Sequence, residues 1–245
     1  MMTKVSGNMA DTLKYKRVLL KLSGEALAAG KGGILDNDFI TDVADVLKRC
    51  LGLGVQIGII VGAGNIWRGR QGKNMDQTRA DYMGMLATAI NSLALQDAFI
   101  QSGIETRVMT AIHMNEVAEP YIRNKAIHHL EQGRVVIFGC GLGIPFFSTD
   151  TAAVLRAAEI GADIVLMAKN IDGIYTADPK KDPNAHKLDS IEYKEILYRG
   201  LAALDSTATS FSMDNHIPIL ACGLNDPENI YRAVIGEEIG TIIKD

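Results

Sequence analysis

Three short, apolar stretches rich in β-branched residues each run directly into glycines. They are Val18–Gly24, Ile57–Asn65 and Val135–Gly143. Each pattern predicts a buried β-strand whose carboxyl end opens into a glycine-rich loop. Glycine lets backbone N–H groups approach an anion closely, and the positive end of a following helix adds to the attraction. One such loop is often only a turn, but three in one chain indicate a site built around several phosphates.

Segments with helical periodicity separate these strands. A helix is predicted between Asp36 and Gly52, and a longer one, rich in Met, Leu and Ala, from Thr78 to Gln101. Further helices are predicted over 119–131, 151–159, 191–199 and 227–234, and further strands over 106–109, 163–167 and 217–221. This alternation predicts an α/β protein, a three-layer α/β/α sandwich with a mostly parallel central sheet. Because such sheets bind ligands at the carboxyl ends of their strands, the three loops are expected to share one cleft.

Length, composition and charge are those of an ordinary globular protein. The chain has 245 residues, of which 47% are hydrophobic and 22% charged, and a net charge of −4, so neither nucleic-acid nor membrane binding is indicated. Residues 1–14 lack the apolar stretch of a signal peptide and are predicted to form a flexible tail. A single domain with two lobes is predicted over 15–245, with a proline-rich surface loop at Asp178–Asn184.

The cysteines and histidines show no metal-ligand spacing. Cys50, Cys140 and Cys222 are far apart in the chain. They are predicted to be reduced and to pack in the core as small hydrophobic residues. The five histidines form no metal pattern either, so no protein-bound metal site is predicted.

Two cationic residues follow predicted strands. Lys21 lies between two leucines just before Ser23 and Gly24, where its charge is costly unless it is compensated. A bound phosphate would compensate it, and the alternative is a lysine at a strand end that reaches water. Arg68 follows the second loop, where its planar guanidinium could clamp a phosphate or simply be solvated.

The segment after the third strand combines loop-forming and recognition residues. Phe146 and Phe147 offer ring faces on which a base could stack. Ser148 and Thr149 supply hydroxyls at a helix start, suited to capping or to contact with a phosphate. An ordinary capping turn explains these hydroxyls and Asp150 equally well, but not the Pro-Phe-Phe before them.

Other features narrow the chemistry. Asp81 could accept sugar hydroxyls or be a surface charge, Tyr175 could lie against an adenine, and Asp178 could contact the nucleotide or hold its metal indirectly. The chain has no GxxxxGK[ST] motif, and its second loop lacks the third glycine of a dinucleotide fingerprint. No Ser–His–acid or Cys–His set stands out. That suits phosphoryl transfer, where positioning and charge stabilisation carry most of the catalysis.

Taken in order, these segments resemble the bacterial uridylate (UMP) kinases of the amino-acid-kinase family. The resemblance extends from about Tyr15 to Lys244. The segments that carry it are 21–27, 62–65 with 67–69, 81–88, 145–150 and 172–179. The first and last of these are shared with kinases that form carbamoyl and acyl phosphates, whereas 81–88 and 145–150 point to UMP.

The resemblance implies a role for each matching position. Those matching the ATP site are Lys21, Leu22, Ser23, Gly24, Gly64, Arg68, Asn170, Tyr175 and Asp178. Those matching the UMP site are Ala63, Asp81, Leu142, Gly143, Ile144, Pro145, Phe146, Phe147, Ser148 and Thr149. Those matching catalytic positions near the transferring phosphate are Lys21, Arg68, Asp150 and Asp205, with Asp205 orienting Lys21.

The resemblance also implies an activity and its setting. The reaction is transfer of the ATP γ-phosphoryl group to UMP, giving UDP for pyrimidine nucleotide biosynthesis, with Mg²⁺ carried on the ATP. The N-terminal lobe is expected to bind UMP and phosphates, and the C-terminal lobe ATP. Family members are cytoplasmic homohexamers, commonly activated by GTP and inhibited by UTP. The long Met- and Leu-rich helix is either an interface or buried core.

The sequence departs from the family pattern at several positions. The third loop reads Gly-Leu-Gly-Ile-Pro over 141–145, where the family usually has Gly-Thr-Gly-Asn-Pro, and Ala63 replaces a glycine. Residues 30–34 lack an aromatic side chain expected near a GTP-responsive segment. Two other hypotheses remain open: a kinase of this fold that phosphorylates a carboxylate or carbamate, and a non-catalytic nucleotide-binding regulatory or storage oligomer. Retention of Lys21, Arg68 and Asp150 counts against the second.

Overall fold

A computed structural model of the chain describes residues 13–28, 33–68, 72, 74–169, 172–177, 179, 182–201, 204–223 and 226–245. Outside these described residues lie residues 1–12 of the tail predicted over 1–14, the site residues Asn170 and Asp178, and part of the loop predicted over 178–184.

A nine-stranded sheet forms the centre of the described part of the chain. Its strands are β1 (Arg17–Leu22), β2 (Gln56–Val61), β3 (Thr106–Thr110), β4 (Glu119–Pro120), β5 (Val135–Gly139), β6 (Ile164–Lys169), β7 (Ser190–Glu192), β8 (Ile219–Gly223) and β9 (Thr241–Lys244). Their order is β4-β3-β5-β2-β1-β6-β8-β9-β7. The β8–β9 pair is antiparallel and the other pairs are parallel, which confirms the prediction of a mostly parallel sheet.

Helices cover both faces of the sheet. They are α1 (Gly24–Ala28), α2 (Asn37–Gly52), α3 (Gln77–Gln101), α4 (Arg123–Glu131), α5 (Thr149–Ile160), α6 (Tyr193–Arg199), α7 (Ser206–Asp214) and α8 (Glu228–Val234). One hydrophobic core packs α2, α3 and α8 against Leu20 and Leu22 of β1. A second core packs α4, α5, α6 and α7 against Leu19 of the same strand. Since alternate residues of β1 enter opposite cores, the predicted three-layer sandwich is confirmed.

Several predicted boundaries were wrong. The helix predicted from residue 119 begins at Arg123, because Pro120 fits an edge strand and not a helix interior, and Glu119–Pro120 pairs with β3 as β4. The helix predicted from residue 191 begins at Tyr193, after β7. Helix α7 was missed because its sequence is rich in Ser and Thr, which favour helices weakly. The short terminal strand β9 was also missed.

The buried cysteines agree with prediction. Cys50, Cys140 and Cys222 are all free thiols inside the protein. Burial raises the pKa of the Cys222 thiol to about 11, so it stays protonated at neutral pH.

The strand order brings the three glycine loops together. Strands β5, β2 and β1 are adjacent, and their carboxyl ends lie at one edge of the sheet. The chain passes from β1 to β2 on one side, whereas β6, on the other side of β1, leads outward to β7 and β8, so the strand order reverses beside β1. Ligands of open α/β sheets bind at this kind of position. The expectation of one shared edge for the three loops is confirmed.

Candidate active site

The first loop (Ser23–Gly24) and the second loop (Gly62–Asn65) pack directly against each other. The backbone N–H of Gly62 donates to the Leu22 carbonyl at 2.9 Å. A Cβ atom on Gly24 would lie only 2.5 Å from the Gly64 nitrogen and 2.8 Å from the Gly62 oxygen. Glycine is therefore needed at position 24 for the two backbones to approach this closely.

Lys21 forms an ion pair across the top of the sheet. Its Nζ lies 3.1 Å from Oδ1 of Asp150, and the two side chains are 13% and 19% exposed. Lys21 is the penultimate residue of β1, whereas Asp150 lies in the first turn of α5. The positive charge of Lys21, which lies in an apolar strand, is thus compensated by the carboxylate of Asp150 next to the glycine loops.

Asp205 lies where the first turns of α5 and α7 meet. It caps α7 by accepting the Ala208 N–H at 2.8 Å. It also accepts hydrogen bonds from the hydroxyls of Ser148 and Thr151 at the start of α5. The carboxylate paired with Lys21 is that of Asp150, and Asp205 instead fastens the N-termini of two helices together.

Arg68 closes the second loop against the first. Its guanidinium pairs with the carboxylate of Glu25, which lies in α1 directly after Gly24. The neighbouring Trp67 donates its indole N–H to the Ala80 carbonyl of α3 at 2.9 Å. The arginine therefore lies beside both loops, and its side chain is 34% exposed.

Three backbone donors of the second loop are available to an anion. In the part of the chain that the structure describes, the N–H groups of Ala63, Gly64 and Asn65 donate to no protein acceptor. Successive free N–H groups in a turn form a concave anion-binding surface, and Arg68 adds positive charge beside it. The second loop can therefore bind a phosphate mainly through its backbone.

A cavity of about 450 Å³ lies between the second loop, α3 and the third loop (Cys140–Ser148). Its lining residues are Ala63, Gly64, Trp67, Arg68, Ala80, Asp81, Gly84, Met85, Thr88, Gly141, Leu142, Ile144, Phe147, Ser148 and Thr149. Most positions that the resemblance matched to UMP lie on this wall. Gly143, Pro145 and Phe146 belong to the same loop but not to the wall.

The third loop has an unusual backbone that α3 holds in place. Cys140 and Phe146 adopt left-handed conformations, with φ of 63° and 69°. The Cys140 N–H donates to the Thr88 hydroxyl, and the Phe146 N–H donates to Oδ2 of Asp81, both at 2.8 Å. Phe147 lines the cavity, whereas Phe146 is 75% exposed, so only Phe147 presents its ring to this space.

Sequence reasoning assigned no role to several lining residues. Gly84, Met85 and Thr88 follow Asp81 at intervals of three, four and seven, which places all four on one helix face. Counting forward from Asp81 at helical spacing would have found them. Trp67 lies between the second loop and Arg68, and nothing in its sequence context indicated that it would contact α3.

Tyr175 lies beyond the carboxyl end of β6, which flanks β1 on the side opposite to β2 and the second loop. Its hydroxyl donates to Asp172 at 2.9 Å, and this hydrogen bond raises the pKa of the tyrosine. Lys187 pairs with the same carboxylate at 3.2 Å. Among the described residues, no three His, Cys, Asp or Glu side chains are grouped so that they could hold a metal ion.

This fold and site define a class. A sheet with glycine loops, a partly buried lysine and an arginine at its carboxyl edge is suited to hold phosphate groups. The family model of the amino acid kinase family matches residues 16–221, and the chain belongs to that family.

Solved structures of relatives agree with this assignment. The UMP kinase of Bacillus anthracis is 39% identical, with a TM-score of 0.91 over 94% of this chain and 96% of its own. The UMP kinase of Ureaplasma parvum is 34% identical, with a TM-score of 0.90 over 95% and 100%. The uridylate kinase of Archaeoglobus fulgidus is 29% identical, with a TM-score of 0.71 over 92% and 99%. The predicted resemblance to bacterial uridylate kinases is confirmed.

Proposed function

We propose that the protein transfers the γ-phosphoryl group of ATP to UMP, giving ADP and UDP. The cavity between the second and third loops carries this proposal. It places a ring face (Phe147), a carboxylate (Asp81) and an arginine (Arg68) around a space open to the backbone donors of the second loop. These groups suit the base, the sugar hydroxyls and the phosphate of a nucleoside monophosphate, respectively. The similarity to UMP kinases supports UMP as that nucleotide.

The chemistry requires little beyond positioning and charge. The attacking oxygen belongs to a phosphate that is already anionic, so no general base is needed. Lys21 and Arg68 would neutralise the charge on the transferring group and the phosphates beside it. The lysine ammonium has three donors, so it can remain paired with Asp150 while it binds phosphate oxygens. Mg²⁺ bound to the ATP phosphates would supply further charge neutralisation.

The departures in the third loop fall at the cavity wall. Leu142 and Ile144 both line it. Their side chains offer no hydrogen bonds, so the proposal assigns UMP recognition there to the backbone, to Ser148 and Thr149, and to Asp81. ATP is proposed to lie on the other side of Lys21, over the first loop and towards Tyr175. The N-terminal lobe then binds UMP and phosphates, and the C-terminal lobe binds ATP.

An acceptor screen tests the proposed reaction. We expect ADP release from Mg-ATP in the presence of UMP. The rate of ADP release should be at least ten-fold lower with CMP, glutamate, aspartate or carbamate, because one differing pocket contact supplies about this discrimination. Turnover with an amino acid or carbamate but not UMP would favour the alternative kinase. ATP binding without turnover of any acceptor would favour the non-catalytic alternative. Adding GTP or UTP to the same assay tests the proposed activation and inhibition.

The proposed setting follows from the same family. We place the enzyme in the cytoplasm, in pyrimidine nucleotide biosynthesis, as a homohexamer. The outward face of α3 supports self-association. Tyr82, Met83, Leu86 and Ile90 on this face are 39–53% exposed, and the helix has no charged side chain between Asp81 and Asp97. A continuous uncharged, apolar stripe of this kind is typical of a surface that is covered in the native assembly.

A second copy of the chain is the proposed occupant of this stripe. Among the described helices, α3 is long and apolar enough by composition to cross a membrane, but its opposite face packs in the core. Acidic residues at both ends of the stripe and a net charge of −4 disfavour an anionic lipid surface. Two antiparallel copies of one helix give a self-complementary interface with two-fold symmetry.

Replacing both Leu86 and Ile90 by glutamate should dissociate the assembly. Two carboxylates on each side of the interface would have to be buried near like charges. Sedimentation velocity should show a species several times the 26.5 kDa chain mass for the wild type and a smaller one for the variant. Tyr198→Glu, at a residue 92% exposed on α6, is the control and should leave the mass unchanged. A wild-type mass of one chain would contradict self-association.

A further inference from the structure

Two asparagines pair their side-chain amides at the base of the second loop. Nδ2 of Asn65 donates to Oδ1 of Asn91 at 2.9 Å, and Nδ2 of Asn91 donates to Oδ1 of Asn65 at 2.8 Å. Asn91 lies in α3 and is completely buried, which is costly for an amide unless its groups are all paired. The pair is separate from the groups that line the cavity.

The remaining hydrogens of the two amides are also used. Nδ2 of Asn91 donates to the Gly62 carbonyl at 2.8 Å, and Nδ2 of Asn65 donates to the Ile34 carbonyl at 2.7 Å. An amide has two N–H donors and one carbonyl, so all four hydrogens and both oxygens of this pair have partners. A fully satisfied buried network of this kind holds its members in one geometry.

Asn91 thereby holds the second loop at both ends. Gly62 opens the loop and Asn65 closes it, and both bond to the same side chain. Between them, the N–H groups of Ala63, Gly64 and Asn65 have no acceptor among the described residues, and Ala63 and Gly64 line the cavity. The shape of the loop, and so the direction of these donors, depends on a residue that lies outside the loop.

We infer that Asn91 is a positioning residue for phosphoryl transfer, acting through Asn65 and Gly62 to aim the second-loop N–H groups at phosphate. This inference rests on the proposed function, because it assigns the bound anion as a substrate phosphate. Leucine at position 91 has a similar volume but would leave the Gly62 carbonyl and the Asn65 amide without their partner. The loop would then relax, and donors displaced by a fraction of an ångström bind the transition state less well.

A double-mutant cycle on Asn65→Ala and Asn91→Leu tests this role. We expect each variant to lower kcat by about ten-fold or more, while KM for ATP and for UMP changes by less than about three-fold. Because the two amides act as one unit, the double variant should be no slower than the slower single variant. Additive losses would contradict a shared role.

A stability-matched control separates positioning from a general loss of folding. Leu95 is one turn further along α3, fully buried, and packed in the core. Leu95→Ala should lower Tm as much as Asn91→Leu does, because it leaves a cavity in the core. It should leave kcat per folded molecule within about two-fold of the wild type, because a leucine side chain forms no hydrogen bond to the loop. Equal kcat losses in the two variants would overturn the inference. If Asn91→Leu does not fold, kcat and Tm of Asn65→Ala are compared with those of Leu95→Ala in its place.

Amide hydrogen exchange measures the stability of the second-loop conformation and does not depend on activity. The N–H groups of Gly62, Ile66 and Trp67 are bonded within the loop region, to Leu22 and Ala63 carbonyls at 2.9 Å. In Asn91→Leu these amides should exchange at least ten-fold faster than in the wild type and in Leu95→Ala. Unchanged exchange would overturn the positioning role, whatever acceptor the enzyme uses. A wild type that leaves UMP unphosphorylated would overturn the proposed function and leave the exchange result to decide the role of Asn91.

Discussion

Replacing Lys21 by alanine should lower kcat by about 10²-fold or more, because the variant lacks a cation placed where charge develops in the transition state. The structure adds a second reason. Asp150, 3.1 Å from the lysine and 19% exposed, would be left without its partner and would repel the incoming phosphates. Steady-state kinetics with saturating Mg-ATP and UMP measure the effect.

The matched control for this experiment is another paired lysine. Lys125 forms an ion pair with Glu119 at the far edge of the sheet, at 2.5 Å. Lys125→Ala removes the same charge and should leave kcat within about two-fold of the wild type, since surface ion pairs contribute little. Adding Asp150→Ala to Lys21→Ala should recover part of the loss if repulsion by the carboxylate contributes. Near-normal turnover by Lys21→Ala would remove this lysine from the mechanism.

A single methyl group at position 24 should be almost as damaging. The alanine Cβ would lie 2.5 Å from the Gly64 nitrogen, 2.6 Å from Oδ1 of Asn65 and 2.8 Å from the Gly62 oxygen, and two of these three are backbone atoms. The first and second loops would have to separate. We expect kcat/KM to fall by about 10²-fold, the usual effect of misplacing groups by about 1 Å, and unfolding free energy to fall by about 1–3 kcal/mol.

Gly52 provides the comparison for this variant. It closes α2, and a Cβ there would have no neighbour within 4 Å. Gly52→Ala should keep full activity and gain slightly in stability, because alanine is the better helix residue by about 0.5–1 kcal/mol. Activity measured together with chemical denaturation would distinguish the two glycines. Wild-type kinetics in Gly24→Ala would mean that the loops tolerate separation and that their close contact does not matter for catalysis.

The sequence predicted the layout of the site because the relevant signals are local. A β-branched strand followed by glycine is a pattern of a few residues, and parallel strands place their carboxyl ends at one edge whatever the rest of the chain does. Lys21 and the second loop could therefore be placed before the structure was known. The order of the strands, which makes β5, β2 and β1 neighbours, was needed to bring the loops into contact.

The pairings within the site could not be predicted in the same way. Asp150 and Asp205 each stand at a helix start, and nothing in either segment indicates which one reaches Lys21. The choice depends on how α5 and α7 pack. Asn91 gave a weak signal that was not used: an amide in the middle of an apolar helix must find partners if it is buried. Helix α7 lacked a sequence signal because packing on α5 and α6, and not propensity, stabilises it.

Helix α3 has a consequence for changing the acceptor. Its inward face bonds to the third loop through Asp81 and Thr88 and to the second loop through Asn91. The helix and the two loops therefore form one structural unit, whose parts have to be exchanged together. A protein engineer who grafts a foreign third loop onto this chain, to accept a different monophosphate, should transplant α3 with it. A foreign loop moved alone would meet the Thr88 hydroxyl and the Asp81 carboxylate, which are placed for the left-handed residues of the native loop and not for its own.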